Sequence, residues 1–135
     1  MDISKVAVIG AGTMGHGIAQ TFAVAGYAVT MVDVEQAVIE RALANIRKSL
    51  SKFVQKGVIA SQTADDALAR ISTSLQINDV APAQLVIEAV VENIDVKKQV
   101  FTQLDELTSP EPILASNTSS ISITELAAAT KRADK

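Results

Sequence analysis

Cysteine is absent from the 135 residues, and histidine occurs once, at His16. Disulfides, thiolate catalysis and cysteine-ligated metal sites are therefore excluded, and so is a histidine-rich metal centre. Aromatic residues make up 3% of the chain with no tryptophan, so a core must be built from the Ala, Val, Ile and Leu that dominate its 48% hydrophobic content. That balance suits a parallel sheet covered by helices better than an aromatic-rich sandwich. No apolar run approaches the roughly 20 residues that span a bilayer. Met1 to Ser4 run straight into a predicted strand, without the pattern of a signal or transit peptide, so a cytoplasmic, reducing compartment is expected. Strong charge of either sign is lacking too. A formal charge of −3 gives no general reason to bind nucleic acid or acidic membranes.

Glycine is also scarce, yet four of the six fall in KVAVIGAGTMGHGIAQ, Lys5 to Gln20. Lys5–Ile9 reads as a buried strand, Gly10–Gly17 as the turn, and IAQTFAVA as a helix that Gly26 ends with a left-handed cap. YAVTMVD is a second strand finishing on Asp33. A long helix follows from about Glu35 to Lys56, with Ile39, Leu43, Ile46, Leu50 and Phe53 as its apolar stripe. Ser61 is expected to cap a short helix, QTADDALAR, leading to a third strand near RISTS. Leu85–Ala89 is the clearest buried strand. DVKKQVFTQLDEL is then helical, with Val96, Val100, Phe101 and Leu104 facing inward. SPEP turns, ILASN is a strand and SITELAAA a last helix. Strands alternating with helices predict a doubly wound parallel α/β sheet, because each parallel crossover needs a helix to return the chain. Residues 1–135 are expected to form one dinucleotide-binding domain of this Rossmann type.

The glycine motif is Gly10-x-Gly12-x-x-Gly15, after a strand and before a helix. In that setting the first glycine makes the tight turn, the second lets backbone approach a pyrophosphate, and the third lets helix pack on strand. The helix N-terminus offers unpaired N–H groups to the phosphates. Alone, such a motif also fits a plain glycine-rich turn. Asp33 supplies the context, since it ends the next strand where an acid binds the adenosine ribose hydroxyls. A carboxylate there repels a 2′-phosphate and favours NAD over NADP. His16, in the first helical turn, has no evident partner and reads as a surface or packing residue.

Ligands of open parallel sheets collect beyond the carboxyl ends of the strands. Two further strand ends stand out, EAVVEN with Glu88 and Glu92, and SNTSS, Ser116 to Ser120. One helix cap needs one or two such residues, so the remainder of SNTSS is either spare hydroxyls or a set of contacts to nicotinamide ribose and substrate oxygen. The long helix carries Arg41, Arg47, Lys48, Lys52 and Lys56 against Glu35 and Glu40. Ser49, Lys52 and Lys56 share a face, which is either a solvated surface or an anion site for a phosphorylated substrate.

VAVIGAGTMGHGIAQ, VIEAVVENIDVKKQVFTQLDEL and ILASNTSSISITELAAATKRADK together resemble the nucleotide-binding domain of the L-3-hydroxyacyl-CoA dehydrogenases, including 3-hydroxybutyryl-CoA dehydrogenases. The resemblance implies that Gly10, Ala11, Gly12, Thr13, Met14 and Gly15 bind the NAD pyrophosphate and Asp33 its ribose. It implies cofactor contacts at Glu92 and Lys97, and Asn117 near the nicotinamide. Ser119 corresponds to the catalytic serine that hydrogen-bonds the oxygen on C3 of the substrate, and Ser49 and Lys56 to coenzyme A contacts. The implied reaction is reversible hydride transfer between C3 of a 3-hydroxyacyl-CoA and NAD, in fatty acid or butanoate metabolism. The family's base is a histidine oriented by a glutamate, in a stretch ending HFFNP that would begin beyond Lys135, and its helical C-terminal domain is not among these residues.

Two expectations follow. In the first, these residues are the NAD-binding part of such an enzyme, inactive without a partner chain or the helical domain, and prone to self-association through the last helix. In the second, they form a stand-alone sensing or assembly module that binds NAD without turnover.

Overall fold

The computed structural model describes residues 1–135. It contains strands β1 (Lys5–Ile9), β2 (Ala28–Val32), β3 (Ile71–Ser74), β4 (Leu85–Glu88) and β5 (Ile113–Ser116). Its helices are α1 (Thr13–Val24), α2 (Gln36–Gln55), α3 (Ser61–Ala69), α4 (Ile94–Leu107) and α5 (Ile123–Ala127). The strands form one parallel sheet in the order β3-β2-β1-β4-β5, the doubly wound arrangement expected. The order reverses at β1, so the crevice beyond its carboxyl end lies between β2 and β4.

Each face of the sheet has its own apolar layer. Val8, Val29 and Met31 meet Ala19 and Ala23 of α1 and Ile39, Ile46 and Leu50 of α2. On the other face Ala7, Ile9, Val32, Val86 and Leu114 meet Phe101 and Leu104 of α4 and Leu126 of α5. Because both faces are covered, the strands read as continuous apolar runs. Ile46, Leu50 and Leu104 are fully buried, each contributing roughly 1.5–3 kcal/mol.

Gly26 has φ +104 and closes α1 as expected. Its N–H donates to Ala23, and the Tyr27 N–H donates to the Phe22 carbonyl at 3.1 Å. The Phe22 and Tyr27 rings pack edge to face at 5.5 Å over this turn, the apolar contact that accompanies such a helix end.

Several boundaries differ from expectation. α1 begins at Thr13, five residues before the predicted Ile18, because Gly15 belongs to its first turns and only Gly10–Gly12 make the bend. Ser61 does not cap α3; it is the first helical residue, and Ala60 occupies the cap without a side-chain bond. Phe53 leaves the α2 stripe and is 37% exposed, while Ala42 and Val54 pack in its place. A 3₁₀ turn at Ile77–Val80 had no periodic signal, and its Val80 is buried. Val96 and Val100 are half-buried, and between them Lys97 is buried. α5 spans five residues and not the eight predicted.

Candidate functional site

Gly10 adopts φ +103, and a Cβ there would lie 2.6 Å from the Ala89 carbonyl oxygen. Its N–H donates to Val32 at 2.7 Å, while the Ala89 N–H donates to Ile9 at 2.7 Å. The turn is thus wedged between the ends of β2 and β4. A Cβ on Gly15 would sit 1.8 Å from the Gly10 carbonyl oxygen, so α1 can approach β1 this closely only with glycine at that position. Gly12 differs, because a Cβ there would meet nothing within 4 Å. It faces open space at the head of α1.

That head has no cap. Gly12 supplies no side chain and the first turn contains no acid, so the leading N–H groups and the positive end of the helix dipole remain available to an anion. Thr13 and Met14 are exposed beside them, Met14 at 59%. The His16 ring turns back onto its own helix, its Nδ1–H donating to the Gly12 carbonyl at 2.7 Å. The half-buried Asp33 carboxylate accepts from the Ala11 N–H at 3.0 Å and from the Glu35 N–H at 3.1 Å. Each oxygen keeps a lone pair for a further donor. An uncapped helix, an open glycine and a carboxylate on the adjacent strand fit the diphosphate and adenosine ribose of NAD.

On the opposite side of β1 the polar groups join in a ring. Glu88, wholly buried at the end of β4, accepts from Lys97 Nζ at 2.6 Å and from the Val90 N–H at 2.7 Å. Its other oxygen accepts from the Ser116 hydroxyl at 2.6 Å. The Ser116 oxygen accepts from the Thr118 N–H at 3.2 Å, and the Thr118 hydroxyl donates to Glu92 at 2.6 Å. Glu92 returns to within 3.7 Å of Lys97 Nζ. Thr118 also accepts from the Ile121 N–H, and Ser122 caps α5. SNTSS is therefore divided. Ser116 and Thr118 are structural, whereas Asn117 and Ser119 are exposed with side chains that make no hydrogen bond to the protein.

Lys97, expected on the cofactor face, is 1% exposed with its ammonium turned inward. The fourth helical position after the Asn93 cap carries its side chain beneath the β4 loop to Glu88. Glu88 carries no sequence signal for this partner, because the nine-residue separation crosses a loop whose shape local rules do not set. Ser49 likewise proved to accept from Gln20 of α1 at 2.9 Å, tying α2 to α1. Lys56 stands exposed past α2, and none of Arg41, Arg47, Lys48, Lys52 and Lys56 forms an ion pair with an acid.

The model of a family described as the 3-hydroxyacyl-CoA dehydrogenase NAD binding domain matches residues 5–135. The chain belongs to this family. A 3-hydroxybutyryl-CoA dehydrogenase of Clostridioides difficile is 47% identical over 131 residues, covering 97% of this chain and 47% of that protein. The crystal structure of an Escherichia coli 3-hydroxybutyryl-CoA dehydrogenase superposes with a TM-score of 0.95 at 41% identity, over 98% of this chain and 28% of that one. An (S)-3-hydroxybutyryl-CoA dehydrogenase from Ralstonia eutropha gives 0.95 at 44%, over 98% and 47%. The chain thus spans about half the length of the first of these relatives. As the NAD-binding domain of a dehydrogenase family, it takes NAD as its cofactor. No helix is long and apolar enough to cross a membrane.

Proposed function

We propose that the protein containing this domain transfers hydride reversibly between C3 of a 3-hydroxyacyl-CoA and NAD, with a four-carbon acyl group as the first substrate to test. The observation that carries this reading is the cleft itself: uncapped α1 on one side of β1, and exposed Asn117 and Ser119 on the other. Gly10–Gly15 hold the diphosphate and Asp33 the adenosine ribose. The remaining half of the cofactor then extends toward Glu92 and Asn117, and bound NAD supplies the hydride chemistry.

Ser119 donates to the oxygen on C3 and steadies the charge that develops there. Oxidation of the alcohol also requires a base. His16 does not suit that role, because its ring is engaged with Gly12 on the cofactor turn. The base is assigned to the part of the longer relatives that this chain does not span, as the family resemblance implies. Ser49 and Lys56 would meet coenzyme A phosphates along the basic face of α2. Titration calorimetry with NAD, NADP and acetyl-CoA tests the reading; binding of NAD and acetyl-CoA but not NADP is expected. Oxidation of NADH by acetoacetyl-CoA, followed by absorbance, should be negligible for residues 1–135 and rapid for the whole protein. Rapid turnover by residues 1–135 would mean the base had been misplaced.

A further inference from the structure

Glu88 is the most enclosed charged group in the molecule, at 0% exposure, so no ligand in the cleft can touch it directly. Its carboxylate nevertheless binds three separate segments. One oxygen takes Lys97 of α4 and the Val90 N–H of the loop after β4, and the other takes Ser116 at the end of β5. The Glu88 carbonyl also accepts from the Asn117 N–H at 2.9 Å. Through Ser116 and Thr118 the chain of bonds reaches Glu92 and closes on Lys97. The side chains left free in SNTSS are those of Asn117, Ser119 and Ser120, and the one half-exposed acid on the ring is Glu92.

No hydrogen bond joins the ring to Asp33 or to the glycine turn. Asp33 is held by Ala11 and Glu35, and Gly10 and Gly15 are shaped by backbone packing. Hydrogen bonds thus support the crevice in two separate sets, one for each side of β1, and the sets meet only where Gly10 packs on Ala89 and Val90. A buried charge costs several kcal/mol to desolvate, so an ion pair at this place calls for a reason beyond packing.

We infer that Glu88 is a positioning residue: it holds the β4 and β5 loops at a fixed spacing and so sets the nicotinamide half of the cofactor site, leaving the adenosine half unaffected. This rests on the reading of the crevice as the NAD site. A displacement near 1 Å at a reacting centre costs about 100-fold in rate, which gives the fixed spacing its value.

The test compares NAD with ADP, which carries the adenosine and diphosphate but no nicotinamide riboside, by calorimetry on the full chain. Glu88→Gln alone leaves the buried Lys97 with only the more distant Glu92 as counter-charge and risks unfolding, so the variant is the double replacement Glu88→Gln with Lys97→Met. Ser116→Ala, which removes only the link to β5, is measured beside it. The double variant should bind ADP within about twofold of the parent and NAD about tenfold more weakly. Ser116→Ala should show the same selectivity with a smaller loss. Equal weakening toward both ligands, or unchanged NAD binding, would overturn the positioning role. A parent that bound neither ligand would overturn the cofactor reading itself and the inference with it.

Discussion

Three glycines of one motif separate into two roles once their surroundings are known. Gly10 and Gly15 are required by the protein's own backbone, whereas Gly12 leaves space that the fold does not use. Gly15→Ala should therefore lower stability by several kcal/mol, since neither α1 nor the Gly10 carbonyl can retreat cheaply; a fall in melting temperature of more than about 10 °C is expected. Gly12, with φ −70, tolerates alanine. Gly12→Ala should melt within about 2 °C of the parent while losing NAD affinity, because the added methyl enters the space proposed for the diphosphate. Melting curves with and without NAD distinguish the two. Asp33→Ala removes the proposed ribose acceptor and the negative charge that would oppose a 2′-phosphate. NAD should bind about tenfold more weakly, and the preference for NAD over NADP should shrink toward unity in direct titrations.

At the scale of elements, the C-terminal end of α4 is sealed chiefly by one side chain, with the Thr108 hydroxyl donating to the Leu104 carbonyl beside it. Arg132 Nε donates to Asp105 at 2.7 Å, and the guanidinium also donates to the carbonyls of Asp105, Thr108 and Ser109. A cation on the last carbonyls of a helix answers the negative end of its dipole. Burial pushes the Asp105 carboxyl up, but the Lys131 N–H and the Arg132 hydrogen bond, helped by both positive charges, hold it below its ordinary value of 3.8. A depressed carboxyl stabilises the fold fully above that ordinary value and ceases to do so as pH falls through the lowered one. Asp105→Asn should be less stable than the parent by about 2 kcal/mol near neutral pH, with the gap closing below 3.8. Urea denaturation along a pH series checks this; a gap that widened in acid would refute it.

For the whole molecule, the sheet ends at β3 and β5. A groove of about 390 Å³ runs beside β5, lined by Phe101, Leu114, Ile123 and Leu126 among others. Ile123 is 57% exposed and Ile113 37%. Beyond the Leu114 N–H, which donates to the Lys135 carbonyl at 2.8 Å, this edge presents backbone that can recruit another strand. Residues 1–135 on their own are therefore expected to self-associate. Light scattering should show an average mass that rises with concentration, and a constant monomer mass would contradict the expectation.

The strand–helix alternation, the glycine turn and Asp33 were legible in the primary structure because each is governed by local rules. A parallel crossover needs a helix, a tight turn before a helix needs glycine, and an acid at a strand end finds free backbone N–H groups in the loops beside it, as Asp33 does at Ala11 and Glu35. The start of α1 was misjudged because glycine weakens a helix in isolation, while the contact between Gly15 and the Gly10 carbonyl exists only once helix and strand have docked. SNTSS was visible as a surplus of hydrogen-bonding side chains, but the division of labour within it depended on Glu88 and Glu92, 28 and 26 positions earlier. Lys97 is the sharpest case. Its place on the helix was predictable, yet whether its ammonium points to ligand or protein depends on where packing brings the end of β4. Periodicity reports the face of an element, and only the folded arrangement decides which charges are close enough to pair.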